Sequence, residues 1–345
     1  MELIDLRSDT VTKPTPEMLE AMARAELGDD VYGEDPTVNH LQEISAEITG
    51  QEAALFVASG TMGNLAAILA HCGRGDEAIL GNKNHTFLFE AGGISALAGV
   101  HSHQLENQPD GSLRIEDLQA AIRPLDAHFP STRLICLENT HNRCGGTYQS
   151  SEYMRQVADF AHARGLKVHL DGARIFNAAA ALGVPARELT QDVDSVTFCL
   201  SKGLSAPVGS VLCGSKEFIH AAHRARKLLG GGMRQAGILA AAGIVALEKM
   251  VPRLGEDHVR ARNLAEGLSE IHGVILQPGT PATNMIFLDL ADDVLWSAKE
   301  VAEKLGEQGL LVSAVSERGF RLVTHYWIDD AAVDKAVTDF ARVLA

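Results

Sequence analysis

The sequence predicts an α/β protein, a mostly parallel sheet with helices on both faces, followed by a smaller C-terminal α+β unit. Three observations carry this. Short apolar runs alternate with helix-period segments through most of the chain. Several of those runs end in polar residues, as strands of an open sheet do where a ligand sits. After about residue 250 the pattern changes to short strands around TNMIFLDL and FRLVTHYW with helices between them. The boundary is expected near Met250, giving a large domain over 1–250 and a small one over 251–345.

In chain order, Asp35 and Pro36 occupy N-cap and N1 positions of a helix that Gly50 closes. AALFVASGTMGNLAAILA then reads as a strand over 53–58, a turn at Ser59 and Gly60, and a helix with Leu65, Ile68 and Leu69 on its apolar face. RLICLEN is a strand over 133–137 that runs into Glu138, Asn139, Thr140, His141 and Asn142. Ser151 is expected to cap a helix whose Met154, Val157, Ala158 and Ala161 share one face, and Gly165 to end it. LKVHL, 166–170, is the next strand, with Asp171 at its end. VDSVTFCLSKGL, 193–204, buries Val193, Val196, Phe198 and Leu200 and leaves Lys202 at its carboxyl end.

Composition narrows the function. The 345 residues are 46% hydrophobic and 22% charged, a globular rather than a disordered mix. A net charge of −15 argues against nucleic acid, and the basic cluster over 223–227 is too short to reverse it. MELIDLRSDT lacks the apolar centre of a signal peptide, and the longest apolar stretch, 236–247, is too short for a bilayer. Five scattered cysteines without a CxxC pair fit reduced thiols in a cytoplasm. The histidine pairs 101/103 and 220/223 lack partners at metal-site spacing, so no metal is expected.

Lysine at the end of a buried strand needs a reason, because most lysines are solvated. Lys216 is a decoy: Ser215 before it caps a new helix and leaves Lys216 on a first-turn surface. Around Lys202 other groups converge. SGTMGN puts Ser59, Gly60 and Thr61 at a helix amino end, an anion site by its free N–H groups and dipole. It is neither a P-loop nor a GxGxxG turn. Asp171 and the imidazole of His85 complete the set. Together they match what pyridoxal 5'-phosphate requires: an amine for a Schiff base with its aldehyde, a carboxylate for its pyridine nitrogen, a phosphate turn and a ring to lie on its face.

The segments DLRSDTVTKPTPEM, GDDVYGEDPTVNHL, ALFVASGTMGN, RLICLENTHN, HLDGARIFNAA, CLSKGL, APVGS, GGGMRQAG and RLVTH together resemble the L-threonine aldolases, pyridoxal phosphate enzymes of the aspartate-aminotransferase-like fold (fold type I). The resemblance spans nearly the whole chain. It implies retro-aldol cleavage of a β-hydroxy-α-amino acid such as threonine or allo-threonine to glycine and an aldehyde. It makes Lys202 the Schiff-base lysine, Asp171 the pyridine partner, Arg174 a donor to the phenolic oxygen and His85 the stacking ring. Ser59, Gly60 and Thr61 become the phosphate turn, and Arg234 a basic residue that reaches the phosphate from a neighbouring subunit. Ser8 and Arg321 match the grip on the substrate carboxylate. Tyr32 is expected to serve a partner's site, and His128 to lie on the aldehyde side. The β-hydroxyl base stays open between His85, His128 and water. A homo-oligomer, a dimer or dimer of dimers with shared sites, is implied, and a β-eliminating lyase or aminotransferase is the alternative.

Two stretches depart from the family pattern. Arg143, Cys144, Gly145 and Gly146 stand where a Gly-Lys-Val-Leu-Pro-like segment is common, and Phe87 and Phe89 stand where tyrosines often occur. The expectation is a pocket that favours an apolar substituent, phenylserine over threonine.

Overall fold

The computed structural model describes residues 3–345. Thirteen strands occur among them: β1 (Ile4–Asp5), β2 (Ala53–Val57), β3 (Asp76–Gly81), β4 (His101–Leu105), β5 (Ser131–Glu138), β6 (Lys167–Asp171), β7 (Ser195–Cys199) and β8 (Ser210–Gly214), then β9 (Val274–Leu276), β10 (Met285–Leu290), β11 (Leu310–Leu311), β12 (Ser313–Ala314) and β13 (Gly319–Val323). Seven form one sheet in the order β2-β8-β7-β6-β5-β3-β4. The pairs from β7 to β4 are parallel, and β8 is antiparallel to both its neighbours. β2 therefore points the same way as β7, and its carboxyl end lies on the same edge.

This is the mostly parallel α/β architecture expected. Every residue of β7 and β8 is buried, because helices cover both faces. Phe198 packs edge-on to Phe176 at 5.1 Å within the largest apolar cluster, which also holds Val196, Leu200 and Leu170. A second cluster gathers under the antiparallel sheet β12-β13-β10-β9. That cluster includes Ile4 and Leu6, since β1 pairs in parallel with β11. The amino-terminal segment thus packs with the carboxy-terminal third of the chain.

Local signals were legible with small offsets. Asp35 caps the helix Pro36–Thr49 by accepting from the N–H groups of Thr37 and Val38, and Gly50 closes it at φ +68. Ser59 caps Gly60–His71 through the Met62 N–H, and Ser215 caps Lys216–Leu228 through the Phe218 N–H. The cap of Ser151–His162 is Ser150, one residue earlier than expected, because its hydroxyl accepts from the Tyr153 N–H. The basic cluster over 223–227 is not a continuous surface patch. Arg226 in it is buried, donating to Phe56 O and paired with Asp30 at 2.8 Å.

Candidate active site

Strand direction assembles the site. Glu138 ends β5, Asp171 ends β6, Lys202 follows β7, His85 follows β3 and Ser59 follows β2, all at one edge of the sheet. From the other side, β13 presents Arg321 and the amino-terminal segment supplies Arg7, Ser8 and Thr10. They enclose a cleft of about 410 Å³ lined also by His85, Arg174 and Lys202.

The Lys202 turn is held by its backbone. Its carbonyl accepts from the Thr12 hydroxyl at 2.8 Å and from the Ser205 N–H at 2.9 Å. Ser205 closes the turn at φ +62, a left-handed conformation uncommon outside glycine. Strain of this kind persists only where surrounding contacts enforce it. Lys202 is half-buried, with its side chain lining the cleft.

Arg174 is 7% exposed and forms a two-point ion pair with Asp9, Nε to Oδ2 at 2.6 Å and Nη2 to Oδ1 at 2.5 Å. Burial alone would raise the Asp9 pKa, but Arg174, with Lys202 and Arg321 behind it, brings it down to about 2. Arg321 donates to Asn142 Oδ1 at 3.0 Å and to the Arg7 carbonyl at 3.3 Å, while its buried Nε has no partner. Burial lowers its pKa and neighbouring Arg174 lowers it further, so the cleft carries an unmatched cationic donor.

Beneath the cleft lies a carboxylate network that sequence spacing did not reveal. Asp171 Oδ1 accepts from the Ala173 N–H and Oδ2 from Asn64 Nδ2 at 2.9 Å. Asn64 Nδ2 also donates to Glu90 at 2.8 Å, and Glu90 holds His85 Nδ1 at 2.8 Å. That hydrogen bond raises the His85 pKa against the opposing effect of burial. Glu138, pushed up to about 7 by burial and by Asp171, accepts from the His85 and Asn142 N–H groups. His85, Glu90 and Asp171 bring ligand atoms within 4.8 Å of one another, but protein N–H donors already occupy the space between them. A hydrogen-bond network accounts for the grouping without an ion.

Glu138 and Asn142 belong to the polar group expected at the end of the 133–137 strand, whereas Asp9, Asn64 and Glu90 carry no such signal in the sequence. Asp9 lies beside Ser8 in the polar RSDT segment, where nothing in the residue pattern sets it apart. The others become neighbours only when separate strands pair.

Several expected residues stand outside this cleft in a single chain. His128 is 87% exposed and pairs with Asp126 in the loop before β5. Tyr32 is 75% exposed. Arg234 is also exposed, pairing with Asp29 at 3.0 Å while its carbonyl accepts from the Asp30 N–H, so the Asp30–Tyr32 turn and Arg234 share one surface. Phe87 packs on an interior cluster, and Phe89 sits 5.5 Å from the His85 ring. Arg143, Cys144 and Gly145 line an adjacent cavity of about 510 Å³ with Lys83.

The donor set fits a phosphorylated pyridine aldehyde. A Cβ at Gly60 would approach Cys199 Sγ at 2.9 Å, so only glycine lets the helix start close on β7. Ser210 Oγ, 3.7 Å from that point, is buried with no partner. Two of the roughly four lone-pair positions of the Asp171 carboxylate are used by protein donors, leaving capacity for a ring N–H. Lys202 is the amine within the same cleft.

Comparison with known proteins agrees with this geometry. The sequence profile of the beta-eliminating lyase family matches residues 5–292. The chain belongs to that family. Within it the chain is 49% identical over 343 residues to a probable low-specificity L-threonine aldolase 2 of Arabidopsis thaliana, covering 99% of this chain and 97% of the relative. It is 47% identical over 323 residues to the low specificity L-threonine aldolase of Escherichia coli K12, covering 94% of each. Among solved structures, a Leishmania major threonine aldolase superposes with a TM-score of 0.83 at 20% identity, over 99% of this chain and 100% of that one. A putative L-allo-threonine aldolase of Listeria monocytogenes superposes at 0.79 and 21% identity, over 97% and 96%. At those identities the likeness concerns the fold of this chain. No helix among the described residues is long and apolar enough to cross a membrane.

Proposed function

We propose that this chain is a pyridoxal phosphate-dependent threonine aldolase, cleaving L-threonine, L-allo-threonine and related β-hydroxy-α-amino acids to glycine and an aldehyde. The observation that carries this reading is the convergence of Lys202, Arg174 and the half-satisfied Arg321 on one cleft above Asp171. Bound there, pyridoxal 5'-phosphate supplies an aldehyde for an amine and an electron-withdrawing ring that takes up the electron pair of the bond being broken.

Each residue then has a task at a stated atom. Lys202 offers Nζ to the aldehyde. Asp171 keeps its carboxylate at the ring nitrogen, Arg174 offers the N–H groups that Asp9 leaves free, and Ser59, Gly60 and Thr61 direct a helix amino end at the phosphate. Arg321 Nε and the Ser8 hydroxyl would grip the substrate carboxylate, fixing the orientation of the substrate and so which bond at Cα is presented for cleavage. His85, with Nδ1 committed to Glu90, presents Nε2 to take the β-hydroxyl proton.

The reading extends to assembly. Tyr32 and Arg234, exposed on one surface, serve the cleft of a second copy in a dimer or dimer of dimers, and His128 approaches the aldehyde side in the same way. The chain divides near Met250, with the segment through β1 returning to the small domain's core. Five unpaired buried cysteines support a cytoplasmic setting.

The test is product analysis with the purified protein, pyridoxal phosphate and threonine. Glycine with acetaldehyde is the expected outcome, lost in Lys202→Ala together with the visible band of the bound cofactor. A keto acid product would instead mean transamination or β-elimination, and full activity of Lys202→Ala would remove the lysine from the mechanism.

A further inference from the structure

Asp171 is tied towards the opposite edge of the sheet by a file of side chains that runs beneath the helix Gly60–His71. Asn64 Nδ2 donates to Asp171 at 2.9 Å, and Asn64 Oδ1 meets His169 Nε2 at 3.1 Å. His169 Nδ1 meets Ser195 Oγ at 2.9 Å, across the register that pairs the two residues in β6 and β7. Ser195 Oγ in turn meets His71 Nε2 at 2.8 Å, at the end of the helix Gly60–His71. His71 stacks on Phe218 at 4.4 Å and lines a cavity of about 520 Å³ with Lys167 and Asp194. Asn64, His169 and Ser195 are all fully buried or nearly so.

Only one arrangement of protons satisfies this file. Asn64 faces two carboxylates, Asp171 and Glu90, which accept, so its amino group must point at them and its carbonyl at His169. His169 must then carry its proton on Nε2 and a lone pair on Nδ1. The Ser195 hydroxyl donates to that lone pair and accepts from His71 Nε2–H. Burial keeps both imidazoles neutral, with pKa values of about 4 for His169 and about 3 for His71. Every proton points towards Asp171. An amide does not pass protons on, so the file is a set of aligned dipoles rather than a proton wire, and aligned hydrogen bonds strengthen one another.

We infer that His169 and Ser195 are positioning residues for the cofactor's ring nitrogen: they lock the Asn64 amide with its donors on Asp171, which holds Asp171 as an oriented carboxylate. The inference rests on the reading of Asp171 as the ring-nitrogen partner. Removing the Ser195 hydroxyl frees His169 to take its other tautomer. Its Nε2 lone pair then opposes Asn64 Oδ1, and turning the amide sets that oxygen against two carboxylates.

The experiment compares the unmodified holoenzyme with Ser195→Ala, His169→Phe, His169→Gln and Ser195→Thr. Without substrate, cofactor affinity and the pH titration of the visible band are measured, with thermal unfolding alongside. The titratable groups facing Asp171 are Glu90, Glu138, His85 and His141, and the charged groups facing His71 are Asp194 and Lys167; all stay unchanged in these variants. Ser195→Ala and His169→Phe should weaken cofactor binding about tenfold or more, by analogy with outer partners of metal ligands, and displace the midpoint of the band. His169→Gln, which keeps a donor near the Nε2 position, and Ser195→Thr, which keeps the hydroxyl, should recover most of the affinity. Should His169→Phe not fold, Ser195→Ala, a smaller change, decides alone. Unaltered affinity and band titration in a destabilised Ser195→Ala would overturn the inference and leave the file a packing feature. A colourless unmodified protein would instead remove the cofactor reading on which it depends.

Discussion

Asp9 and Arg174, 165 positions apart, meet through two hydrogen bonds of 2.5 and 2.6 Å in a buried pair that joins the amino-terminal segment to the sheet edge. The pair fixes Arg174 in the cleft and fixes Ser8 beside it. Removing the carboxylate with Asp9→Ala leaves Arg174 buried and unpaired, an expected cost of about 3–5 kcal/mol. Denaturant unfolding of the apo protein checks this, and an unchanged midpoint would contradict it. The pH sense is also fixed. The folded Asp9 pKa is lowered to about 2, below the unfolded value near 3.8, so its contribution is complete above about pH 4 and fades as pH falls towards 2. Asp9→Asn should flatten that part of the acid limb.

Arg321 offers a buried Nε without a partner. Replacing it with Leu should lower kcat/KM by roughly 10- to 100-fold, the value of a hydrogen bond to a charged group. The visible spectrum of the bound cofactor should not change, because Arg321 grips substrate. Steady-state kinetics and absorbance on one preparation test this; a lost chromophore would reassign the residue.

His85 is held by Glu90, and the hydrogen bond raises its pKa above the ordinary histidine value. A base must be neutral to act, so activity should rise with pH through that elevated value. In Glu90→Gln the rise should move to lower pH, and in His85→Phe kcat should fall by about 10²- to 10⁴-fold. The kcat/KM profile over pH reads both, and an acid limb unmoved by Glu90→Gln would count against His85 as the base.

Tyr32 and Arg234 share a surface away from the cleft of their own chain. Inactive Lys202→Ala and Arg234→Ala chains, unfolded and refolded together, should regain about a quarter of full activity if each cleft draws Arg234 from a partner. Half the random dimers are then mixed, each with one intact site. No recovery on mixing would confine Arg234 to its own subunit.

Strand ends were legible in the sequence because β6 and β7 are buried on both faces, so Asp171 and Lys202 stand out against apolar runs. Helix caps were legible for the same local reason, to within one residue at Ser150. Long-range pairing was not. Asn64 and Asp171 are 107 positions apart, and only the adjacency of the helix Gly60–His71 to β6 and β7 lets one amide bridge two carboxylates. Asp9 was hidden because a polar residue in a polar segment carries no periodic signal. Arg226 looked like surface charge because its partner, Asp30, lies 196 positions away.

The pairing of β1 with β11 has a consequence for biosynthesis. Arg7 accepts from the Ser313 hydroxyl across 306 positions, and Ile4 aligns with Leu310. While a ribosome is still translating, residues 4–7 therefore wait for Leu310 to Ser313 to emerge, and Arg321 follows later still. A nascent chain can build the seven-stranded sheet, complete at β8, before Arg321 emerges to close the cleft, so the scaffold precedes the site it carries.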